Sequence, residues 1–223
     1  MCGRYAITLP PEAMAQLFEA VPSNDLPPVP NYNVCPTNQV HVVRGDGGGG
    51  RRLVAMRWGF VPGWYKSPTD GPLLINARAE TVAEKPAFGR AVRERRCIVP
   101  ASGFYEWQIG PDRARLPWYV FRADGAPLAL AGLWQDWEHD DTRLTTCAIL
   151  TTEANQAMRA VHHRMPVVLE PADTALWLGE AGHGAARLMR PADEAVLRLH
   201  RVGTAVNSNR AEGSELIEPL TDQ

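Results

Sequence analysis

The sequence contains very little lysine, no C-x-x-C pair and no long apolar run, and each absence narrows the class of protein. Lys66 and Lys85 are the only lysines among 23 basic side chains, so nearly every positive charge is an arginine. No stretch of about 20 apolar residues is present, which argues against a membrane-spanning helix. Met1 leads into Cys-Gly-Arg without the apolar segment of a secretory signal, so we expect a cytoplasmic protein.

The four cysteines are scattered rather than paired, which gives no support to a zinc site or a disulfide framework. Cys97 and Cys147 lie in apolar, strand-like runs and are predicted to be inert core residues. We therefore predict free thiols in a reducing compartment, with no metal and no cofactor.

Composition predicts one compact domain over residues 1–223. The chain has 223 residues, of which 45% are hydrophobic and 22% charged, which are ordinary values for a globular protein. The formal net charge is -2, so the molecule as a whole is not a basic nucleic-acid binder. Any contact with nucleic acid must therefore come from a local patch, where arginine can grip phosphate with its planar fork.

Short apolar or alternating runs separated by turn residues dominate the chain. Strands are predicted over residues 4–9, 39–44, 52–58, 73–78, 97–100, 103–109, 116–122, 127–134, 143–152, 165–169 and 200–206. Helices are predicted over residues 11–20, 79–96 with a break near Pro86, 153–162, 171–178 and 191–199, and residues 21–38 are predicted to be a loop or linker. Many strands without a regular βαβ alternation predict a single α+β domain with a mixed, barrel-like β-sheet core and peripheral helices.

Cysteine at position 2 is the most informative residue. If Met1 is removed, the chain begins with a free amine beside a thiol, and the amine has a reference pKa of about 7.7–8.0. The amine can condense with an aldehyde to an imine, and the thiol can then close onto the imine carbon to give a five-membered thiazolidine. The apolar strand that follows suggests that Cys2 is held against the fold, although a small residue at a frayed terminus is the general alternative.

Three further residues could assist this chemistry. Glu106, in GFYEWQI, shares a strand face with Phe104 and could act as an acid, or it could be an exposed strand residue. Asn76 is a polar residue inside an apolar strand and could hold an amine or an aldehyde oxygen. His162 or His163 could transfer a proton, although a histidine at a helix end is more often a surface residue.

Six segments occur in the order in which a known family has them: MCGRY, YNVCPT, RWGFVPGWY, INARAET, PASGFYEW and VHHRMPVVL, with a weaker match in AVNSNRAEGSELIEPL. The chain thereby resembles the SOS response-associated peptidase family, whose members shield abasic sites in single-stranded DNA. The resemblance covers nearly the whole chain. It implies a monomeric protein that binds single-stranded DNA containing abasic sites, including DNA at strand junctions. When bound to DNA, the protein would be associated with the nucleoid.

The resemblance also implies catalytic roles. Cys2 looks like the nucleophile that forms a thiazolidine with the ring-opened sugar. Asn76 looks like the residue that positions the Cys2 amine and the sugar, and Glu106 matches the acid or base of Schiff-base formation. His162, rather than His163, matches the histidine that assists ring opening and reversal of the adduct.

A DNA-contacting surface follows from the same resemblance. Arg4 and Arg78 look like phosphate-gripping arginines, and such backbone contacts suit a protein that must accept any sequence. Trp64 and Tyr65 stand where the family places aromatic wedges, with Tyr65 in place of a second tryptophan. They could stack on bases beside the lesion, or they could be turn residues packed on the core.

Weaker DNA-facing positions are Pro36 and Thr151. Cys35 stands where a small residue is more usual in the family, and a disulfide with Cys2 could form on oxidation if the two are close. An arginine cluster on one predicted helix could extend the basic surface or pair with Glu94; its members are Arg90, Arg93, Arg95 and Arg96.

Two other functions fit the same residues. A thiol peptidase would use Cys2 as its nucleophile, and autocatalytic removal of Met1 would then be a maturation step. A non-covalent binder of single strands or junctions would not need the Cys2 thiol at all. The covalent function alone requires both a free amine and a thiol at position 2.

Overall fold

The computed structural model describes residues 2–220 of the chain, in which fourteen strands and four short α-helices are found. The strands are β1 (Tyr5–Ile7), β2 (Ala20–Pro22), β3 (Asn31–Val34), β4 (Gln39–Gly45), β5 (Arg51–Trp58), β6 (Asn76–Arg78), β7 (Arg96–Ala101), β8 (Gly103–Ile109), β9 (Arg115–Arg122), β10 (Leu128–His139), β11 (Thr142–Glu153), β12 (Arg164–Pro166), β13 (Val168–Leu169) and β14 (Leu197–Arg201). The helices are α1 (Pro11–Leu17), α2 (Ala91–Glu94), α3 (Gln156–Arg159) and α4 (Thr174–Leu178). In this part of the chain, no helix is both long enough and apolar enough to cross a membrane.

Five strands close into a barrel. Neighbours in the order β11, β10, β7, β4 and β5 pair antiparallel, and β5 returns to β11 through a parallel pairing of Arg57 with Thr146 and Trp58 with Cys147. Closure leaves few unpaired strand edges and encloses an apolar interior. The predicted α+β fold with a mixed, barrel-like core and peripheral helices is thereby confirmed.

A second, antiparallel sheet of five strands, in the order β14, β9, β8, β1 and β3, separates two apolar clusters. Tyr5 and Phe104 belong to the large cluster that includes the barrel interior. Tyr105 and Trp107 point to the other side of the sheet, where they pack in a smaller cluster with Val206. This alternation follows from the period of two in a strand, and it sets the side of the sheet to which each β8 side chain, including Glu106, points.

Most predicted strands and the helix that begins at Pro11 are confirmed, but five segments differ. Within residues 153–162, predicted to be helical, only Gln156–Arg159 forms an α-helix. Residues 21–38, predicted to be a linker, contribute to β2 and contain β3, which pairs with β1. Residues 79–96, predicted to be helical, are mainly turns, and only Ala91–Glu94 is an α-helix. Residues 191–199 are not a helix, because β14 begins at Leu197 and pairs with β9. The last predicted strand, 200–206, accordingly ends at Arg201.

Cys97 and Cys147 are fully buried, as predicted, while Cys35 is half-buried. β4 and β5 form an antiparallel hairpin, and its glycine-rich tip is organised around one carboxylate. The backbone N–H groups of Gly48 and Gly50 both donate to Asp46 Oδ1, at 2.8 and 2.9 Å.

Candidate functional site

Asn76 lies against the first described residue of the chain. The parallel pairing of β6 with β11, which places Asn76 opposite Ile149, fixes its position. Its Nδ2 donates to the backbone oxygen of Cys2 at 2.9 Å, while its buried Oδ1 has no hydrogen-bond partner in residues 2–220. An amide oxygen left open beside Cys2 is suited to accept a hydrogen bond from an amine or a sugar hydroxyl.

Glu106 is enclosed in the protein. Its residue is only 2% exposed, and it lies on the same face of β8 as Phe104. The structure therefore contradicts the alternative of an exposed strand glutamate. The pairing of β8 with β1, together with a hydrogen bond from the Tyr105 N–H to the Arg4 oxygen, brings Glu106 alongside the segment that carries Cys2.

The Cys2 thiol is buried and electrostatically disfavoured as a thiolate. Loss of hydration raises the pKa of the Cys2 thiol well above its ordinary value, and the nearby Glu106 carboxylate raises it further. The backbone N–H of Arg4 opposes this rise. The thiol is therefore in its neutral form at neutral pH, in a position where Glu106 can influence its proton.

His162 completes the cluster. Its Nδ1 lies 3.9 Å from Glu106 Oε1 and accepts a hydrogen bond from the Arg164 N–H at 3.0 Å. Burial lowers the pKa of His162, the Glu106 charge opposes that change, and the neighbouring His163 lowers the pKa a little more. His163 is exposed and stacks on His162 with ring centroids 4.4 Å apart.

The fold thus brings together four side chains from distant segments. Asn76 contacts Cys2, the Cys2 thiol interacts with the Glu106 charge, and Glu106 faces His162. A nucleophile beside a buried carboxylic acid, with a half-buried imidazole between that acid and solvent, is an arrangement able to move protons during addition to a carbonyl.

Arg4 is tied to the segment that follows β14. Its Nη1 donates to Asn33 Oδ1 at 2.6 Å and to the backbone oxygens of Val206 and Ser208 at 3.0 and 3.4 Å. Its guanidinium also lies 5.8 Å from the ring centroid of Trp107. These contacts hold one arginine two residues from Cys2 in a defined direction.

The remaining predicted DNA-contacting residues differ in exposure. Trp64 is 60% exposed and packs edge-on against Tyr65, with ring centroids 6.3 Å apart. Arg78 is exposed and Pro36 is half-buried. Thr151 is fully buried, which argues against a direct DNA contact by its side chain.

Arg164 was not predicted as a site residue from the sequence. Its guanidinium pairs with both carboxylate oxygens of Glu80, at 2.8 and 2.9 Å, and donates to the Thr151 oxygen at 2.7 Å. The Arg164 hydrogen bond lowers the pKa of Glu80. A charged residue directly before the apolar run MPVVL was the available signal, because such a charge must be paired when buried.

The arginines around α2 do not form one basic surface. Arg90 pairs with Glu94 at 2.8 Å, Arg95 lies over the Trp134 ring, and Arg96 donates to backbone oxygens that include that of Trp177. In the described range, no group of three or more His, Cys, Asp or Glu side chains is arranged to hold a metal ion.

A family model described as "SOS response associated peptidase (SRAP)" matches residues 1–209. The chain belongs to the SRAP family. It is 35% identical to the abasic site processing protein YoaM of Bacillus subtilis over 98% of each chain. It is 31% identical to the abasic site processing protein YedK of Escherichia coli, over 99% of this chain and 100% of the other.

The SRAP fold is also found in solved structures. A crystal structure of a protein from Bacteroides thetaiotaomicron superimposes with a TM-score of 0.86 at 22% identity, covering 99% of this chain and 100% of that one. At that identity, the likeness concerns the fold alone. The overall fold of this chain is therefore shared with that protein.

Proposed function

We propose that this SRAP protein senses and shields abasic sites in single-stranded DNA by forming a covalent thiazolidine through Cys2. Its relatives YoaM and YedK are named as abasic site processing proteins. The observation that carries the proposal is the assembly of Cys2, Asn76, Glu106 and His162 around one point. The proposed removal of Met1 concerns a residue that lies outside the described range.

The proposed reaction begins with the amine rather than the thiol. The neutral Cys2 amine adds to the aldehyde carbon of the ring-opened sugar and gives a carbinolamine. Glu106 donates a proton to the carbinolamine hydroxyl, which leaves as water, and the nitrogen proton then returns to Glu106 as the imine forms. The Cys2 sulfur then bonds to the imine carbon while the thiol proton passes, through Glu106, to the imine nitrogen. One water is released, and the electrons balance without an oxidant.

The electrostatics of Cys2 favour this route over a thiol peptidase. A peptidase nucleophile is a thiolate, and enzymes that use one lower the thiol pKa with a positive neighbour. Here burial and the Glu106 carboxylate raise the pKa of Cys2 instead. In thiazolidine closure the thiol reacts only after the imine has formed. The sulfur is then held close to the imine carbon within one molecule, and this proximity compensates for the lower nucleophilicity of a neutral thiol.

The DNA strand is proposed to cross the site between Arg4 and the exposed aromatic Trp64. Arg4 and Arg78 would contact phosphates, and Trp64 with Tyr65 would stack on bases beside the lesion. Pro36 is half-buried, and its exposed part would contact the DNA strand. Thr151 is buried, and we propose that it instead holds Arg164 in place. Arg164 Nη2 donates a hydrogen bond to Thr151 Oγ1 at 3.2 Å.

The test is intact-mass spectrometry of the purified protein before and after incubation with a short single strand that carries one abasic site. We expect a protein lacking Met1 that gains the mass of the DNA in a species stable to denaturation. Cys2→Ala should lose this species and retain weak, salt-sensitive binding. A protein that retains Met1, or that forms no stable adduct, would contradict the covalent proposal, and peptide cleavage by such a protein would support the peptidase.

A further inference from the structure

A polar cavity of about 450 Å³ lies beside the candidate site and takes no part in the chemistry described above. It is formed by the segment that precedes β4 and by the segment that follows β14. The cavity is joined to the site through Asn33, which lines it and accepts a hydrogen bond from Arg4 at 2.6 Å. Its volume falls in the range of small-ligand pockets, about 300–1,000 Å³.

Two asparagines present fixed hydrogen-bond donors in this cavity. Asn31 Oδ1 accepts the Asn33 N–H, and Asn38 Oδ1 accepts the Cys35 N–H, both at 2.9 Å. A backbone N–H can pair only with the oxygen of an amide, so each Nδ2 group is directed away from that contact. Within residues 2–220 neither Nδ2 group has a partner, and both residues line the cavity.

The remaining lining supplies an acceptor and apolar walls. Glu212 lines the cavity, is exposed and makes no ion pair within residues 2–220. Asn209 lines it as well, and its side chain forms no hydrogen bond in that part of the chain. The ring of Tyr32, with Pro28 and Pro30, provides surfaces against which a flat ring can stack.

We propose that this cavity binds an unpaired nucleobase that flanks the abasic site, with a preference for guanine. Guanine carries O6 and N7 acceptors, which match the two asparagine amide donors. It also carries adjacent N1–H and N2–H donors, which match the Glu212 carboxylate. Adenine, cytosine and thymine lack this combination of two adjacent donors and two acceptors. The inference rests on the proposed binding of single-stranded DNA at Cys2.

The first measurement uses the full-length protein and single strands that carry a tetrahydrofuran analogue, which has no aldehyde. Each of the four bases is placed next to the analogue on the 5′ side or on the 3′ side, and the Kd is measured by fluorescence anisotropy. We expect guanine on one side to lower the Kd by about fivefold or more, the lower end for a bidentate base contact. Equal Kd values for all eight strands would overturn the proposal.

Two variants separate the cavity from a general effect on the strand. Glu212→Gln alters the proposed acceptor, and Asn38→Asp replaces the proposed Nδ2 donor while keeping the oxygen that accepts the Cys35 N–H. Both variants should abolish the guanine preference. Glu218→Gln, an exposed glutamate on the same segment but outside the cavity, is the matched control and should keep it. A preference that survives both cavity variants would contradict the assignment to this cavity.

Covalent trapping distinguishes failure of this inference from failure of the proposed function. Strands with a true abasic site should form the adduct with any flanking base, and fastest with guanine on the preferred side. Adduct formation at one common rate would leave the covalent function standing and overturn the cavity proposal. If no adduct forms but the protein still prefers guanine beside the analogue, the cavity proposal stands and the covalent function is overturned.

Discussion

Glu106 Oε1 lies 3.9 Å from His162 Nδ1, and this contact links an enclosed carboxyl to the protein surface. The His162 side chain is 20% exposed, whereas Glu106 is almost completely covered. A proton can therefore pass from solvent to the buried acid through one imidazole. In the proposed mechanism the two residues therefore take different roles, with Glu106 at the reacting atoms and His162 as its connection to water.

Replacement of the acid should slow formation of the adduct without unfolding the protein. Glu106→Gln keeps the shape of the side chain and removes its titration, so we expect the single-turnover rate of crosslinking to fall by about 10²–10⁴-fold. The rate is measured from denaturing gels over a time course. Glu84→Gln, at an exposed position, is the control. A change of less than twofold in Glu106→Gln would remove this residue from the mechanism.

The two adjacent histidines provide a matched pair. His162→Gln should slow crosslinking at pH 7.5, while His163→Gln should have little effect because His163 is exposed and no ion pair joins it to an acid within residues 2–220. Burial lowers the pKa of His162, so the imidazole is neutral and able to accept a proton at neutral pH. The advantage of wild type over His162→Gln should shrink as the pH falls through that lowered pKa. Equal effects of His162→Gln and His163→Gln on the crosslinking rate would contradict the assignment of proton transfer to His162.

Trp64 should contribute to DNA binding and not to folding. At 60% exposure, its removal costs little packing, while loss of one stacked base corresponds to about 1–3 kcal/mol of binding free energy. Trp64→Ala should therefore raise the Kd for single-stranded DNA by about fivefold or more and leave the Tm unchanged. Ile109→Ala, at an apolar residue with 66% exposure, is the control and should change neither quantity.

Arg164 should matter for both stability and rate. Arg164→Met removes both hydrogen bonds to Glu80 and one hydrogen bond to the buried Thr151 oxygen, which still accepts from the Ala79 N–H. We expect this loss to cost about 1–3 kcal/mol in the free energy of unfolding. The rate of crosslinking should also fall, because the Arg164 side chain anchors the segment whose backbone N–H donates to His162 Nδ1. Urea denaturation measures the first effect. The comparable Arg190→Met breaks a surface ion pair with Asp193 and should shift stability by about 0.5 kcal/mol or less.

His41 gives a pH dependence of stability that is separate from the site. The residue is 1% exposed, and burial lowers its pKa from 6.5 to about 4. Because the folded state binds the proton less tightly, the stabilisation is complete above about pH 6.5 and is lost as the pH falls toward about 4. We expect the wild type to lose on the order of 2 kcal/mol more than His41→Gln over this range, as measured by urea denaturation. Parallel pH profiles would contradict this assignment.

The fold could be predicted where periodicity and burial agree. The alternation in GFYEWQI places Glu106 with Phe104, and that side of the strand is the one that faces the large core. Residues 79–96 have helical composition, yet Pro86 and a turn at Gly89 interrupt them, and only four residues form a helix. Leu197–Arg201 has helical composition as well, but pairing with the edge of β9 overrides that preference.

The candidate site was predictable as a set of residues but not as a geometry. Residue chemistry and the family resemblance identified the four residues Cys2, Asn76, Glu106 and His162. The catalytic roles that the resemblance implies for them remain predictions. Their proximity depends on pairings between strands distant in sequence, such as β6 with β11, which no local pattern reveals. The burial of Thr151 and the pairing of Arg164 with Glu80 depend on the same long-range contacts.

The tie between Arg4 and the backbone oxygens of Val206 and Ser208 has a consequence for biosynthesis. Arg4 is synthesised more than 200 positions before these two partners. The barrel strands end at Glu153, so the scaffold can assemble while this arginine still lacks its anchor. The proposed DNA-contacting surface beside Cys2 is thus completed only after residues 206–208 have left the ribosome.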